Sequence, residues 1–359
     1  MSEPFGVYVH VPFCAERCDY CAFVTYTGVD DLHDRYVAAV LAELELRREC
    51  GPVPAATSIF FGGGTPSRLA PELLGSIIDA VDRAAGCEIT VEINPEDATP
   101  SYLEALVSRG VTRVSVGIQS TSPLVLKELG RTHRGDSIGA LREAVAASGV
   151  ERWSVDLIVG ARHETDEMVE ATLASVLDGE GAPSHVSCYL LTPERGTPLG
   201  RDHARHPEEA TLADRYELVD ELLSARGFSW YEISNWARDG AACQHNQLYW
   251  RQGDYLGLGA AAHGHVSGRR SWNVAKLEAY LAQVEAGELP LAGEELVEGS
   301  SAAFERLALQ LRTAEGVPRG SFLDPESLEA FLQPVGKRLV LTRRGRLMAD
   351  ELVRRLQVA

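Results

Sequence analysis

Three cysteines near the amino-terminal end of the sequence, Cys14, Cys18 and Cys21, have the spacing of a metal-cluster loop. Three residues separate the first pair and two separate the second, so three thiolates are brought onto one short loop. Three thiolates are enough to hold three corners of a cubane iron–sulfur cluster. The fourth iron then has no cysteine ligand and is open to a small molecule. The spacing therefore predicts a reactive 4Fe–4S site rather than a structural one.

Zinc and disulfides are the alternative uses of closely spaced cysteines. A structural zinc ion needs four ligands, commonly in two pairs, and no second Cys-x-x-Cys follows in the sequence. The other cysteines stand singly, at Cys50, Cys87, Cys188 and Cys243. The total of seven is odd and no secretory signal is present, which argues against a disulfide framework. The iron–sulfur cluster is the preferred interpretation, with zinc as the alternative.

The composition indicates a large globular chain with an acidic surface. With 359 residues, 45% of them hydrophobic, the chain can bury the core of one large domain and a small one. A net charge of −18 argues against a nucleic-acid partner, which would favour a basic face. No apolar run has the length of a membrane span. Free cysteines without a targeting signal predict a cytoplasmic protein with no transmembrane segment.

Six short apolar runs alternate with helix-length amphipathic segments, which predicts strand and helix in turn. The predicted strands are 7–11, 58–61, 88–93, 113–118, 153–159 and 186–191. The predicted helices are 31–49, 71–85, 101–109, 137–148 and 164–177. Strand followed by helix, repeated in this way, indicates an α/β fold with a parallel sheet. A partial (βα)6 TIM-like barrel fits better than a doubly wound sheet, although periodicity does not separate the two.

Candidate binding residues follow the carboxyl ends of the predicted strands, where parallel βα folds collect their ligands. The cysteine loop follows the first strand. In chain order, Gly63, Gly64 and Thr65 follow the second strand, Glu92 and Asn94 end the third, Gln119 ends the fourth, Asp156 lies in the fifth and Tyr189 lies in the sixth. Because these strand ends meet at one edge of the sheet, the sequence predicts a single site.

The side chains at that edge suit a nucleoside that carries a carboxylate. Glu92 and Asp156 can accept hydrogen bonds from ribose hydroxyls or from an amine. Arg131 offers a planar fork for a carboxylate, and Tyr20 can pack on an adenine face. The glycine run 62–64 lets a ligand approach the backbone closely, although a tight strand-to-helix turn would use the same residues.

Six motifs together resemble the radical S-adenosylmethionine (SAM) superfamily, in the branch of oxygen-independent coproporphyrinogen III oxidase. They are Cys-x3-Cys-x2-Cys from Cys14, Phe-Gly-Gly-Gly-Thr-Pro-Ser at 61–67, Glu-Ile-Asn-Pro-Glu at 92–96, Val-Gly-Ile-Gln-Ser at 116–120, Leu-Gly-Arg-Thr-His at 129–133 and Val-Asp-Leu-Ile-Val-Gly at 155–160. The resemblance covers nearly the whole chain. It implies the partial barrel of that superfamily.

Within this branch the sequence is most similar to the heme chaperone group. The oxidase pattern has a further cysteine at the position of Phe23, and its arm before the first strand is longer. Residues 243–250 contain His245-Asn246-x-x-Tyr249, which resembles the segment associated with heme binding in the chaperone group. The resemblance thus implies a heme chaperone that binds a 4Fe–4S cluster, SAM and heme and delivers heme to acceptor proteins. The alternative is a radical enzyme acting on a porphyrin or aromatic substrate, either a coproporphyrinogen oxidase or a methyltransferase.

The resemblance also implies roles for individual residues. The cluster would be held by Cys14, Cys18 and Cys21. One SAM molecule would contact Tyr8, Gly63 and Glu92. Other positions that contact SAM in the oxidase are Tyr20, Gly64, Thr65, Gln119, Arg131 and Asp156. Heme would contact His245, as an iron ligand, and Tyr249; a catalytic protein would further need an electron donor such as a flavodoxin or ferredoxin.

The carboxyl-terminal part is predicted to be a separate small unit. We expect the barrel to occupy 1–265, a linker 266–290 and an α+β domain 291–359. Helices at 302–313 and 325–332, a strand and turn at 338–347 and a helix at 347–356 resemble a winged-helix domain. The acidic balance of the chain favours a lid or docking role for this domain over DNA binding.

Overall fold

One large sheet forms the frame of the molecule in the computed structural model, which describes residues 3–131 and 138–358. The six predicted strands are present and pair in parallel and in chain order. They are β1 (Phe5–Val11), β2 (Ala56–Gly63), β3 (Arg83–Ile93), β4 (Arg113–Gln119), β5 (Arg152–Val159) and β6 (His185–Leu190). Tyr8 is the one residue of β1 that is not fully buried, as expected of a parallel strand covered on both faces.

Helices connect and follow these strands. They are α1 (His33–Cys50), α2 (Pro71–Ala80), α3 (Pro100–Ser108), α4 (Pro123–Glu128), α5 (Ile138–Ser148), α6 (Asp166–Leu177), α7 (Pro198–Arg201) and α8 (Glu209–Ala225). Five of them correspond to the predicted helices, and three, α4, α7 and α8, were not predicted. The predicted helix 71–85 was too long, because β3 already begins at Arg83, which pairs with Ala56 of β2. Ser137, the predicted start of the helix at 137–148, lies outside the described residues.

The sheet continues beyond the six predicted strands at both edges. The added strands are β7 (Ser229–Glu232), β8 (Asn235–Ala237), β9 (Asp254–Leu258), β10 (His263–Val266), β11 (Arg269–Asn273) and β12 (Leu291–Leu296). Strand β9 is parallel to β1, and β8 is antiparallel to β6. Within the described chain the order is β12-β11-β10-β9-β1-β2-β3-β4-β5-β6-β8-β7, an open arrangement whose centre is a partial barrel.

The predicted linker 266–290 is wrong, because this segment belongs to the large sheet. Strand β11 pairs with both β10 and β12, and helix α10 (Leu277–Glu285) follows it. The carboxylate of Glu43 in α1, which is fully buried, accepts hydrogen bonds from Asn273, from the amide of Gly259 and from Tyr280 of α10, at 2.8–2.9 Å. These contacts hold the segment against the barrel.

A small helix-and-sheet unit follows, as predicted. It contains α11 (Gly299–Leu311), β13 (Val317–Pro318), β14 (Leu332–Val335), β15 (Arg338–Leu341), α12 (Arg343–Leu347) and α13 (Ala349–Val353). The strands form a sheet of their own in the order β13-β15-β14. The predicted helix 325–332 was too long: only Glu326–Leu328 is helical, as a 3-10 helix, and β14 begins at Leu332, which pairs with Leu341 of β15. Arg343 and Arg346 fasten the unit to α8 through the buried Asp220, at 2.6 and 2.7 Å.

Candidate functional site

The cysteine loop follows β1 and is fixed by backbone hydrogen bonds at several points. The amide of Cys14 donates to the carbonyl of Tyr26 at 3.0 Å. In the middle of the loop, the amide of Asp19 donates to Leu129 at 3.2 Å, and its carbonyl accepts from the amide of Leu199 at 2.9 Å. The loop is therefore tied to segments that follow α4 and β6. This anchoring holds the three cysteines over the carboxyl ends of the strands.

The three thiols line one cavity of about 470 Å³, and none of them forms a disulfide. Cys14 accepts a hydrogen bond from the Thr65 hydroxyl at 3.5 Å, and Cys18 accepts one from Nη1 of Arg131 at 3.7 Å. Burial raises the pKa of the Cys14 and Cys21 thiols. Thiolates in this setting need a nearby positive charge, which a metal cluster supplies.

A cluster fits this donor set better than a single ion does. Among residues 3–131 and 138–358, no three His, Cys, Asp or Glu side chains are grouped closely enough to hold one metal ion. In a cubane cluster each thiolate binds a different iron, so the ligands need not converge on one point. Three thiols that line one cavity match the ligand arrangement of a cubane cluster.

The glycine run owes its composition to close packing against the cysteine loop. Gly63 has a φ of 111°, in the region that favours glycine, and a β-carbon there would overlap the imidazole of His10. A β-carbon on Gly64 would lie 2.8 Å from the carbonyl oxygen of Phe13. The amide of Gly63 donates to Oε2 of Glu92 at 3.1 Å, which links the run to β3. The glycine run thus forms a tightly packed turn. Gly63 and Gly64 also line the cysteine cavity, where a ligand can approach their backbone.

Two carboxylates, Glu92 and Asp156, face the same cavity from β3 and β5. Shielding from bulk water, together with the charge of Asp156, raises the pKa of Glu92 to about 8. Desolvation also raises the pKa of Asp156, whose oxygens accept hydrogen bonds from the Ser115 hydroxyl at 3.0 and 3.1 Å. A pair of acids held this way is suited to hydroxyl donors or to a cationic group, as in the ribose and sulfonium of SAM.

Arg131 lies on the other side of the cavity with a free donor. Its Nη2 donates to the carbonyl of Gly117 at 2.6 Å, and its Nη1 donates to Oδ1 of Asn94 at 3.2 Å. Its buried Nε has no hydrogen-bond partner in the part of the chain that the structure describes. A buried N–H without a partner is costly, so this atom fits a ligand carboxylate.

The remaining predicted contacts, Tyr20 and Gln119, also line this cavity. Gln119 has a φ of 64° at an irregularity in the β4–β5 pairing, which turns its side chain out of the strand's regular alternation. The cavity thus brings together the cysteines and all predicted SAM contacts except one. That one is Tyr8, whose hydroxyl pairs with Nδ1 of His10 at 3.0 Å beside a second, inner cavity.

The predicted heme contacts, His245 and Tyr249, line the inner cavity rather than the cysteine cavity. They belong to α9 (Gln244–Trp250), whose His245 packs beside Gly6 at the amino-terminal end of β1. His245 is 1% exposed, and its ring nitrogens pair with the Ser58 and Tyr249 hydroxyls at 2.8 Å each. Burial lowers the pKa of His245 to about 3. With both nitrogens engaged, the geometry does not support the predicted iron ligand.

Sequence reasoning missed the residues that support the site from within the strands. Ser115 holds Asp156, and Arg113, His185 and Cys243 line the inner cavity behind it. The available signal was a polar residue inside an otherwise apolar strand, as at Ser115 between two valines. Such a residue is buried and needs a partner, which marks it as part of a polar network.

The carboxylate pair gives a pH dependence that can be measured. Between the ordinary pKa of 4.5 and about 8, folded Glu92 keeps a proton that the unfolded chain has released. Its contribution to stability is therefore present at low pH and is lost as the pH rises toward 8, by at most about 1.4 kcal/mol per pH unit. We expect Glu92→Gln to reduce the slope of stability against pH, measured by urea unfolding of the cluster-free protein. Parallel slopes in the two proteins would contradict the assignment.

Comparison with known proteins places these observations in a family. The sequence profile of the Radical SAM superfamily matches residues 8–176. The heme chaperone HemW of Mycobacterium tuberculosis (strain H37Rv) is 42% identical over 377 residues, covering 99% of this chain and 95% of the relative. HemW of Bacillus subtilis (strain 168) is 30% identical over 373 residues, covering 97% of each chain.

Among solved structures, coproporphyrinogen III oxidase (HemN) from Escherichia coli, a Radical SAM enzyme, superposes with a TM-score of 0.85. It is 20% identical and the match covers 98% of this chain and 89% of the oxidase, so it establishes the fold. Fold and cysteine loop thus define a Radical SAM protein, a class that implies a 4Fe–4S cluster and SAM. By its full-length relatives, the chain belongs to the HemW family. No helix in the described chain is long and apolar enough to cross a membrane.

Proposed function

We propose that this protein is a heme chaperone, which binds a 4Fe–4S cluster, SAM and heme and delivers heme to acceptor proteins in the cytoplasm. The observation that carries the proposal is the full-length match to proteins named heme chaperone HemW, at 42% identity. The cavity supports it, because three free thiols lie beside groups that suit SAM.

In this proposal the chain's own residues position both cofactors. Cys14, Cys18 and Cys21 hold the cluster. The free Nε of Arg131 receives the SAM carboxylate, and Glu92 accepts hydrogen bonds from the ribose. When bound, a cluster of this class supplies one-electron chemistry at its open iron. Tyr8, which contacts His10 rather than the cavity, acts by fixing the strand end beneath the loop.

Phe23 supports the chaperone over the oxidase. The coproporphyrinogen oxidase pattern resembles this loop but has a cysteine at that position. Here the Phe23 side chain is 64% exposed and lies at the wall of the cysteine cavity. An exposed aromatic ring next to a ligand cavity is suited to an apolar contact rather than to metal or redox chemistry.

The radical-enzyme alternative is favoured by one observation, the SAM-type groups around the cavity, which include every predicted SAM contact except Tyr8. A carrier that never cleaves SAM needs only to bind it, whereas an enzyme also needs an electron donor such as a flavodoxin or ferredoxin. The two functions therefore differ in products rather than in the residues of the cavity.

The test uses anaerobically reconstituted full-length protein. Titration with hemin, followed by visible absorption, is expected to give a saturable spectral change, and the loaded protein should pass heme to a heme-free acceptor protein. In parallel, coproporphyrinogen and SAM are incubated with the reduced protein and the products are analysed. Absence of saturable heme binding would overturn the proposal, and conversion of the porphyrinogen would favour the enzyme.

A further inference from the structure

A third cavity, distinct from the cysteine cavity and the inner cavity, has a volume of about 320 Å³ and lies where the partial barrel meets the small carboxyl-terminal unit. We call it the lateral cavity and define it by Tyr189, Glu232, Trp250, Arg312 and Arg346, which line it from β6, β7, α9, the end of α11 and α12. These residues come from five separate elements, so no single sequence motif defines the cavity, although Asn246 of the His-Asn-x-x-Tyr segment also lines it.

Two arginines supply positive charge to this cavity. Arg312 is held by Asp350 at 2.5 Å, but the Asp350 side chain is 87% exposed. Ion pairs with exposed partners contribute little, so a ligand carboxylate can replace Asp350 at small cost. Arg346 is more firmly placed, by Asp220 at 2.7 Å and by its position 4.0 Å over the ring of Trp230.

Two buried N–H donors on the walls of the lateral cavity are without partners. They are Nε of Arg346 and Nε1 of Trp250, neither of which has a hydrogen-bond acceptor among residues 3–131 and 138–358. Buried donors are almost always satisfied in folded proteins, by protein, water or ligand. Both atoms are shielded from solvent, so the donor that an acceptor group entering this cavity would meet is the guanidinium of Arg312.

The rest of the lining is suited to an apolar ligand body. Ile233, Leu347 and Ala349 contribute aliphatic surface, and Tyr189, which is 44% exposed, contributes an aromatic face. The one buried acid, Glu232, is engaged by Asn235 and by Asn246, the latter at 3.1 Å, and burial raises its pKa. A raised pKa reduces the negative charge that would repel a carboxylate.

We propose that the lateral cavity binds the propionate-bearing edge of heme, with Arg312 as the carboxylate donor. The inference rests on the proposed chaperone function and names the site that His245 does not provide. It fits the chemistry of the ligand, since heme combines a flat apolar ring with two carboxylates on one edge. Tyr189 also lines the cysteine cavity, so heme held here would lie one side chain away from the cluster site.

The test compares heme with its dimethyl ester, in which both carboxylates are masked. Arg312→Ala should weaken heme binding by about tenfold or more, the effect of losing one hydrogen bond to a charged group. The ester should bind wild type and Arg312→Ala equally, because it has no carboxylate for Arg312.

A variant that is expected to increase heme affinity distinguishes a loss of binding from misfolding. Asp350→Asn removes the competing carboxylate from Arg312 and should tighten heme binding, which a folding defect would not do. Arg269→Ala, on β11, removes an exposed ion pair with Glu294 outside the cavity and should leave heme affinity unchanged. Equal heme affinity in Arg312→Ala and wild type, or an equal loss for heme and ester, would overturn this site while leaving the chaperone function standing. If wild type binds no heme, the proposed function itself falls.

Discussion

Replacing Cys18 by serine is expected to abolish the iron–sulfur cluster. The three thiols share one cavity, and removal of one ligand leaves two irons of the cubane without a protein donor. The loop itself should stay in place, because backbone hydrogen bonds from Asp19 to two other segments do not depend on the thiol. After anaerobic reconstitution, the Cys18→Ser variant should contain little more iron and acid-labile sulfide than protein that has not been reconstituted.

The matched control is Cys50→Ser, at the exposed end of α1. It removes one thiol of seven without touching the cavity and should reconstitute like wild type. Cys87→Ser, at a half-buried thiol outside the cavity, serves as a second control. Full iron loading of the Cys18 variant, or equal loss in the Cys50 variant, would refute the assignment of the three ligands.

The largest expected effect on stability is that of Glu43→Ala. This side chain is fully buried and pairs with Arg47 at 2.9 Å, while both its oxygens accept further hydrogen bonds from Asn273, Gly259 and Tyr280. Removing one partner of a buried pair leaves the others desolvated and unpaired, at a cost of about 3–5 kcal/mol. Urea unfolding should show a lower midpoint with an unchanged m-value.

Glu45→Ala provides the comparison within the same helix. Glu45 pairs with Arg48 at 2.6 Å, but its side chain is 64% exposed. An exposed pair of this kind contributes at most about 1 kcal/mol, so the midpoint should hardly move. Similar losses in the two variants would mean that the buried network does not hold α1 against β9, β11 and α10.

Much of the candidate site was predictable because the parallel strands are recognisable locally. Each of the six predicted strands is a short apolar run, and the carboxyl-terminal parts of parallel strands meet at one edge of the sheet. Glu92, Gln119 and Asp156 were therefore expected to converge on the cysteine loop, and the structure brings them to one cavity. Which cofactor atom each residue contacts stays a prediction.

The strands at the edges of the sheet were not predictable in the same way. The stretch Arg269–Asn273, which forms β11, is polar and short, and becomes a strand by pairing with β10 and β12. Strand propensity depends strongly on such neighbours, which a local pattern does not contain. In the interval 325–332, the helical pattern yields only the short 3-10 helix Glu326–Leu328 before Leu332 pairs with β15.

His245 belongs to a recognisable sequence motif, but its packing in the fold could not be predicted from that motif. The segment His245-Asn246-x-x-Tyr249 places two side chains one helical turn apart, and they do contact each other, at 2.8 Å. Only the packing of α9 beside β1 and β2 decides that the imidazole is enclosed and bound by Ser58 as well. Its neighbours Asn246 and Trp250, by contrast, reach the lateral cavity.

By itself the sequence determined the cluster loop, the parallel order of six strands and the acids and arginine that face the loop. These features depend on spacing and on short-range periodicity, which the chain carries locally. The tertiary structure alone decided the pKa of Glu92, the enclosure of His245 and the existence of the lateral cavity. Each of these depends on which distant segments exclude water from a group, and burial of that kind is a property of packing rather than of sequence spacing.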